Sequence, residues 1–237
     1  MSMAAADKAS ATASWVVESV TATKVSPGVV RVDVKAAIPV ISSQYAVSYT
    51  VQASGDIIVD ASFTPGKADL PMLPRFGMQM VMPAGFESVS WLGPGPEETY
   101  SDRNEARVGA YRGTVDGQWT DYSKPQENGN KVDVRWIAVS NPQGVGLLAV
   151  GMPLLSAAAR HYAHEDIWQA KHTHEMTKRA ETYLSLDFKQ MGVGGDNSWG
   201  ALPHPPYQLP AQAYSYRFRL RPFSALDGAP GALARRP

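Results

Sequence analysis

Period-two alternation runs along most of the chain and restricts its fold more than any other feature. Val30, Val32 and Val34 alternate with Arg31, Asp33 and Lys35, the pattern of a half-buried strand. QYAVSYTVQASGDIIVDASFTPG places Tyr45, Val47, Tyr49 and Val51 on one side, turns at SGD and returns through IIVDASF, which predicts a hairpin. FGMQMVMP puts Phe76, Met78, Met80 and Met82 on one face. VSWLGPG, VDVRWIAVSN, GLLAVGMP, TYLSLDF and YSYRFRL read as further strands, separated by turns rich in Gly, Pro, Asn and Asp. Only residues 165–180, EDIWQAKHTHEMTKRA, suggest a short helix, and its apolar stripe is thin. Strands joined by turns predict one all-β antiparallel domain over residues 15–223 rather than a parallel α/β sheet. A flexible leader, residues 1–14, and a C-terminal tail, residues 224–237, are expected to flank it.

A chain of 237 residues is long enough to bury a core without covalent staples. It carries 22 basic and 22 acidic residues, so the formal net charge is zero. Nucleic-acid and anionic-membrane binding depend on a basic excess and are not expected; a neutral ligand such as a sugar remains compatible. The absence of cysteine removes disulfides, thiolate catalysis and cysteine-ligated metals, and leaves the compartment open. No run approaches the ~18 apolar residues of a membrane span. The leader lacks the basic start and apolar centre of a signal peptide. His161 and His164 are three apart and His172 and His174 two apart, with no H-E-x-x-H spacing. On a helix a two-residue step turns about 200°, so His172 and His174 are expected to point apart and no metal is expected. No phosphate-binding glycine loop and no G-x-S-x-G elbow is present, so no cofactor is expected.

The loops carry the chemistry. WLGPGPEETYSDR combines two stiff Gly-Pro pairs with Glu97, Glu98, Asp102 and the fork-shaped donor Arg103. In an extended loop Glu97 and Glu98 point to opposite sides. Glu127 sits in a polar turn ahead of a strand bearing Arg135 and Trp136, placed either to face a sugar or to pair with Arg135. In MGVGGDNSWG, Gly194 and Gly195 tolerate positive φ, while Asp196, Asn197 and Ser198 can bond back to the backbone. Trp199 then either plugs the core or stands out as a flat apolar wall. Trp91, Trp119, Trp136 and Trp168 also neighbour polar residues, and an indole suits the C–H face of a sugar. Glycoside hydrolysis needs two carboxyl groups, for which Glu97, Glu98, Asp102, Glu127 and Asp196 are the candidates.

Five motifs occur in order: LPRFGMQMVMP, VSWLGPGPEETYSDR, YSKPQENGNKVDVRW, AKHTHE and YLSLDFKQMGVGGDNSWG. Together they resemble the C-terminal domain of the large β-galactosidases of glycoside hydrolase family 2, the domain that forms the small chain of split enzymes. The resemblance implies a β-supersandwich of the galactose mutarotase-like type, packed against a separate (β/α)₈ barrel that carries the acid/base and nucleophile glutamates. It also implies that Trp199 reaches the galactose site as an aromatic platform, on a loop shaped by Gly194, Gly195, Asp196 and Arg103. Measured against that family, this chain has no barrel and lacks the first strands, including a Trp-Arg-Ala-Pro-Thr-Asp segment. The resemblance therefore implies a trimmed sheet edge, a β-galactoside or galactose ligand, and association with itself or with a barrel-bearing large chain. Two alternatives stay open. One is a self-contained β-galactosidase using the carboxylates above. The other is a mutarotase-like sugar module using His161, His164 or His204 with a carboxylate.

Overall fold

The computed structural model describes residues 15–197 and 199–235. Turn chemistry and alternation divide them into β1 (Val16–Ser26), β2 (Val29–Ile38), β3 (Ser43–Gln52), β4 (Ile57–Thr64), β5 (Arg75–Met82) and β6 (Ser88–Gly95). The chain continues through β7 (Arg107–Thr114), β8 (Lys131–Ser140), β9 (Gly146–Arg160), β10 (Thr182–Gln190) and β11 (Tyr214–Phe223). Every pairing is antiparallel, in the order β1-β2-β3-β4-β11-β9-β8-β6-β7, with β10 joined to β9 and β5 to β10.

The long strand β9 makes the branch point. Residues Gly146–Met152 pair with β11, and Ser156–Arg160 pair with β10. Pro153 falls between these two ladders, where the missing N–H interrupts neither. The inward faces of the strands meet in one large core that includes Tyr45, Val47, Val59, Leu155, Leu184, Leu186 and Phe218. Phe76 sits among the rings of Tyr45, Phe63, Phe188, Tyr214 and Tyr216, at centroid distances of 5.3–6.4 Å. Trp91 and Trp136 are core residues, so neither offers an indole to a ligand.

Sequence expectation and structure differ at several points. β1 and β7 do not announce themselves by alternation: both are edge strands, and β1 is exposed along its whole length and interrupted by two bulges. The strand read from GLLAVGMP continues to Arg160. The helix expected over 165–180 is one short helix, α1 (His164–Gln169), and a separate 3-10 turn at Thr173–Glu175. Ile167 alone is buried on α1, too little apolar surface to hold a longer helix. Off the helix, His172 and His174 do not point apart; their rings stack at 5.5 Å with an interplanar angle of 6°.

The segment expected as a tail also packs. A helical turn, Pro230–Leu233, buries Leu233 completely against Trp136, Leu148 and Phe223. Arg219 donates from Nη2 to the Leu233 carbonyl at 3.0 Å and fixes the turn to β11. Leu233→Ala is expected to cost about 2–4 kcal/mol in urea unfolding. Leu226→Ala, at a side chain 98% exposed in the same segment, should stay within about 0.5 kcal/mol. Equal effects of the two changes would show that the turn is not packed.

Candidate functional site

The loop from Met191 to Ala201 is held by polar contacts at several points. Asp102 accepts the Val193 N–H at Oδ1 (3.2 Å) and the Gly194 N–H at Oδ2 (2.8 Å). The Gly192 N–H donates to the Tyr207 carbonyl at 2.7 Å. Asn197 Oδ1 accepts the Trp199 N–H at 2.8 Å, the local bond expected of an Asx residue in a turn. His204 Nε2 donates to Asp196 Oδ1 at 2.7 Å, and that bond raises the imidazole above its usual range. The glycines serve a different purpose from the one their sequence suggested. Neither Gly194 nor Gly195 has positive φ; that geometry falls at Gly200, with φ of 100°. Gly192 and Gly195 are required by space, because a Cβ would meet Asp102 Oδ2 at 2.4 Å and the Ala201 carbonyl oxygen at 2.3 Å. Ser198 lies outside the described residues. Trp199 stands out from the surface, 92% exposed.

Beside this loop lies a cleft of about 250 Å³, walled by Asp102, Arg103, Tyr122, Glu127, Val193 and Gly194. Glu98 organises one side of it. Its carboxylate accepts from the Arg103 guanidinium, from the Tyr122 hydroxyl and from the Gly129 N–H (2.6 Å). Arg103 also lies over the Tyr100 ring at 5.1 Å. Glu97, its sequence neighbour, is exposed.

Behind the cleft four charges meet. Arg75 on β5 donates to Asp187 Oδ2 on β10 at 2.9 Å, to Glu127, and to Gln190 Oε1 at 3.2 Å. Arg160, at the end of β9, donates to both oxygens of Glu127. Glu127 therefore pairs with Arg75 and Arg160, not with Arg135, whose guanidinium donates to the Asp133 carbonyl. Burial pushes the Glu127 carboxyl up, but Arg160 and Arg75 outweigh it and hold the group below its ordinary range. Burial dominates at Asp187 and raises it to about 6 despite Arg75. On the far side of Arg75 and Asp187 opens a second cleft of about 280 Å³, with Tyr45, Phe63, Phe76 and Trp15 on its walls. His164 lines it, accepting from Gln79 Nε2 at Nδ1 (3.3 Å). Burial, with Arg75 and Arg160 nearby, brings this imidazole down to about 3, so it stays neutral.

The sequence-derived carboxylates are thus distributed. Glu98, Asp102 and Glu127 surround one cleft, each committed to polar partners, while Glu97 and Asp196 are exposed away from that cluster. Arg75, Arg160 and Asp187 escaped the sequence analysis. Their signal was present: Asp187 interrupts the apolar run YLSLDF, and Arg160 ends LLSAAAR, so each charge in an otherwise dry strand demanded a buried partner. His161 is buried between Glu87 and the Glu181 carbonyl, away from either cleft wall. Among the described residues no group of three or more His, Asp or Glu side chains is arranged to hold a metal ion.

A family model described as the β-galactosidase small chain matches residues 3–220. This chain belongs to that family. A β-galactosidase of Priestia megaterium is 38% identical over 178 residues, which cover 74% of this chain and 17% of that protein. A β-galactosidase of Vibrio cholerae is 40% identical over 155 residues, covering 65% of this chain and 14% of its own length. The small-chain domain therefore spans about a sixth of the curated relatives it matches. Among solved structures, galactose 1-epimerase from Lactobacillus acidophilus aligns with a TM-score of 0.47 at 10% identity, over 89% of this chain and 66% of that one.

The half-buried His164 imidazole makes the domain's stability depend on pH. Unfolded His164 binds a proton near pH 6.5, whereas the folded side chain does so only near 3, so stability is lost as pH falls below 6.5. At pH 5 this loss is about 2 kcal/mol. Asp187 acts in the opposite sense, binding its proton near 6 when folded and near 3.8 when unfolded, so it adds stability as pH falls through 6. His164→Gln removes only the first effect. The variant should gain stability relative to the parent on going from pH 7.5 to pH 5 in urea unfolding. An unchanged difference between the two proteins would refute the neutral histidine.

Proposed function

We propose that this chain is the C-terminal, domain 5-type module of a glycoside hydrolase family 2 β-galactosidase, and that it completes a β-galactoside site on a separate barrel-bearing chain. The single observation that carries the reading is the Trp199 indole, 92% exposed on a loop clamped by Asp102, Asn197 and the Asp196–His204 pair. An exposed indole held in place offers a flat face to the C–H side of a galactose ring and a free N–H at its edge. The clamps limit the ordering that binding would otherwise require. The catalytic glutamates then come from the partner, because Glu98 and Glu127 are occupied by cations and Asp102 by backbone N–H groups. Family membership, through relatives named β-galactosidase, supports the substrate class.

The test mixes the chain with a barrel-bearing β-galactosidase fragment lacking its own small-chain region and follows hydrolysis of a chromogenic β-galactoside. Activity is expected to rise on mixing, and Trp199→Ala should raise KM roughly threefold to tenfold. No complex and no gain would overturn the proposal, as would full hydrolysis by the chain alone.

A second reading rests on the other cleft. His164 and Asp187 line one wall there, an imidazole and a carboxyl group, the two kinds of side chain that acid–base anomer interconversion uses. Polarimetry of freshly dissolved galactose with the chain alone separates the two: accelerated mutarotation lost in His164→Gln favours the second reading, and an unchanged rate removes it.

A further inference from the structure

The lining of the cleft beside Arg75 and Asp187 falls into two chemically distinct sets. One is a row of rings: Trp15 lies 4.5 Å from Tyr45, Tyr45 6.3 Å from Phe76, and Phe76 6.1 Å from Phe63. Tyr45, Phe63 and Phe76 are buried, while Trp15 is 44% exposed, so the row opens to solvent at its Trp15 end. The other set is polar. Gln79 Nε2 lies 3.3 Å from His164 Nδ1 and 3.4 Å from Ser185 Oγ, and Arg75 Nη1 lies 2.9 Å from Asp187 Oδ2. From this division we infer that the cleft binds an amphiphilic glycoside, a galactoside whose alkyl or aryl aglycone covers the rings while its sugar hydroxyls meet Gln79, His164 and Asp187. The inference rests on the second reading above for the sugar alone, and requires no catalysis.

Charge, hydrogen bonding and size select this ligand. Arg75 is the only cationic side chain of the lining that is charged at neutral pH, and it already donates to Asp187, Glu127 and Gln190. An anion would therefore find no free cation, and would meet the carboxylate of Glu165 on the same lining. The His164 imidazole is neutral, so one ring nitrogen donates and the other accepts; the Gln79 carboxamide does both, and Asp187 accepts. Hydroxyl groups, each a donor and an acceptor, match that set. A sugar by itself would leave the ring row in water. A purely apolar molecule would strip water from Gln79, His164 and Asp187 and return no hydrogen bond, which is costly. A ligand with both parts avoids both penalties. The volume of about 280 Å³ lies just below the ~300–1,000 Å³ of pockets for drug-sized ligands, which suits one monosaccharide with a short aglycone. Trp199 does not line this cleft, so the site is separate from the one proposed around the 191–201 loop.

The test is titration calorimetry on the full chain alone, with hexyl β-galactoside, methyl β-galactoside, 1-hexanol and hexyl sulfate as probes. Hexyl β-galactoside should bind at least tenfold more tightly than any of the other three, because only it buries methylene groups and satisfies the polar set together. Trp15→Ala should weaken its binding about threefold to tenfold. Gln79→Ala should weaken hexyl β-galactoside and leave 1-hexanol unchanged. Both side chains reach solvent, so neither change removes a core residue. Trp199→Ala should have no effect. Equal affinity for the hexyl and methyl galactosides overturns the inference, since the rings would then be unused. Equal affinity for hexyl β-galactoside and either 1-hexanol or hexyl sulfate overturns it as well, since the sugar would then contribute nothing. Absence of binding, or binding lost in Trp199→Ala and kept in Trp15→Ala, has the same consequence. Polarimetry tells this failure from that of the second reading: hexyl β-galactoside bound with mutarotation unaccelerated removes the catalytic reading and leaves the binding site standing.

Discussion

The Arg75–Glu127–Arg160–Asp187 network joins parts of the chain that the sheet ladder alone leaves apart. Through it the 121–130 loop is fastened to β5, β9 and β10, and the two positive charges balance the two negative ones. Buried charge is tolerated only under such balance; removing one member leaves its partner uncompensated, at a cost of about 3–5 kcal/mol. The network is also the partition between the two clefts, with Glu127 on one and Arg75 and Asp187 on the other. Any loss of activity on altering Glu127 therefore reports first on whether this partition still stands. A residue with this many cationic contacts is a poor place to look for a nucleophile by mutation alone.

The Trp199 loop shows a second economy of design. Its backbone is fixed by side chains from elsewhere, Asp102 above all, and by glycines that leave room for close approach. Rigid support beneath and an exposed ring above are separate requirements, and different residues meet them. This explains why the carboxylate at 102, a candidate for chemistry from its sequence surroundings, is engaged with two backbone N–H groups.

How much of this was legible from sequence depends on where each residue's constraints come from. Strands with one dry face were readable, because alternation records that face directly: Tyr45 and Val47 on β3, and Phe76 and Met82 on β5, are buried as the period requires. The edge strands β1 and β7 were not, since an edge exposed on its outer side has no such face to record. Ion partners were the hardest. Arg135 lies near Glu127 in sequence, yet the true partners lie 33 and 52 residues away and are brought close only by the branch at β9. The exposure of Trp199 was an open alternative in sequence, because the same glycine-rich turn could have served either a buried or a projecting indole.

One consequence of the strand order concerns how such a chain is made. β4 meets the rest of the sheet only through β11, whose residues are separated from it by some 150 positions. During synthesis from the N-terminus, the β1–β4 meander can form early, but its inner edge has no permanent neighbour until β11 emerges some 150 residues later. Closure therefore waits on β11. A nascent chain of this topology leaves the β4 edge unpaired throughout that interval, and an unpaired strand edge is open to pairing with another chain.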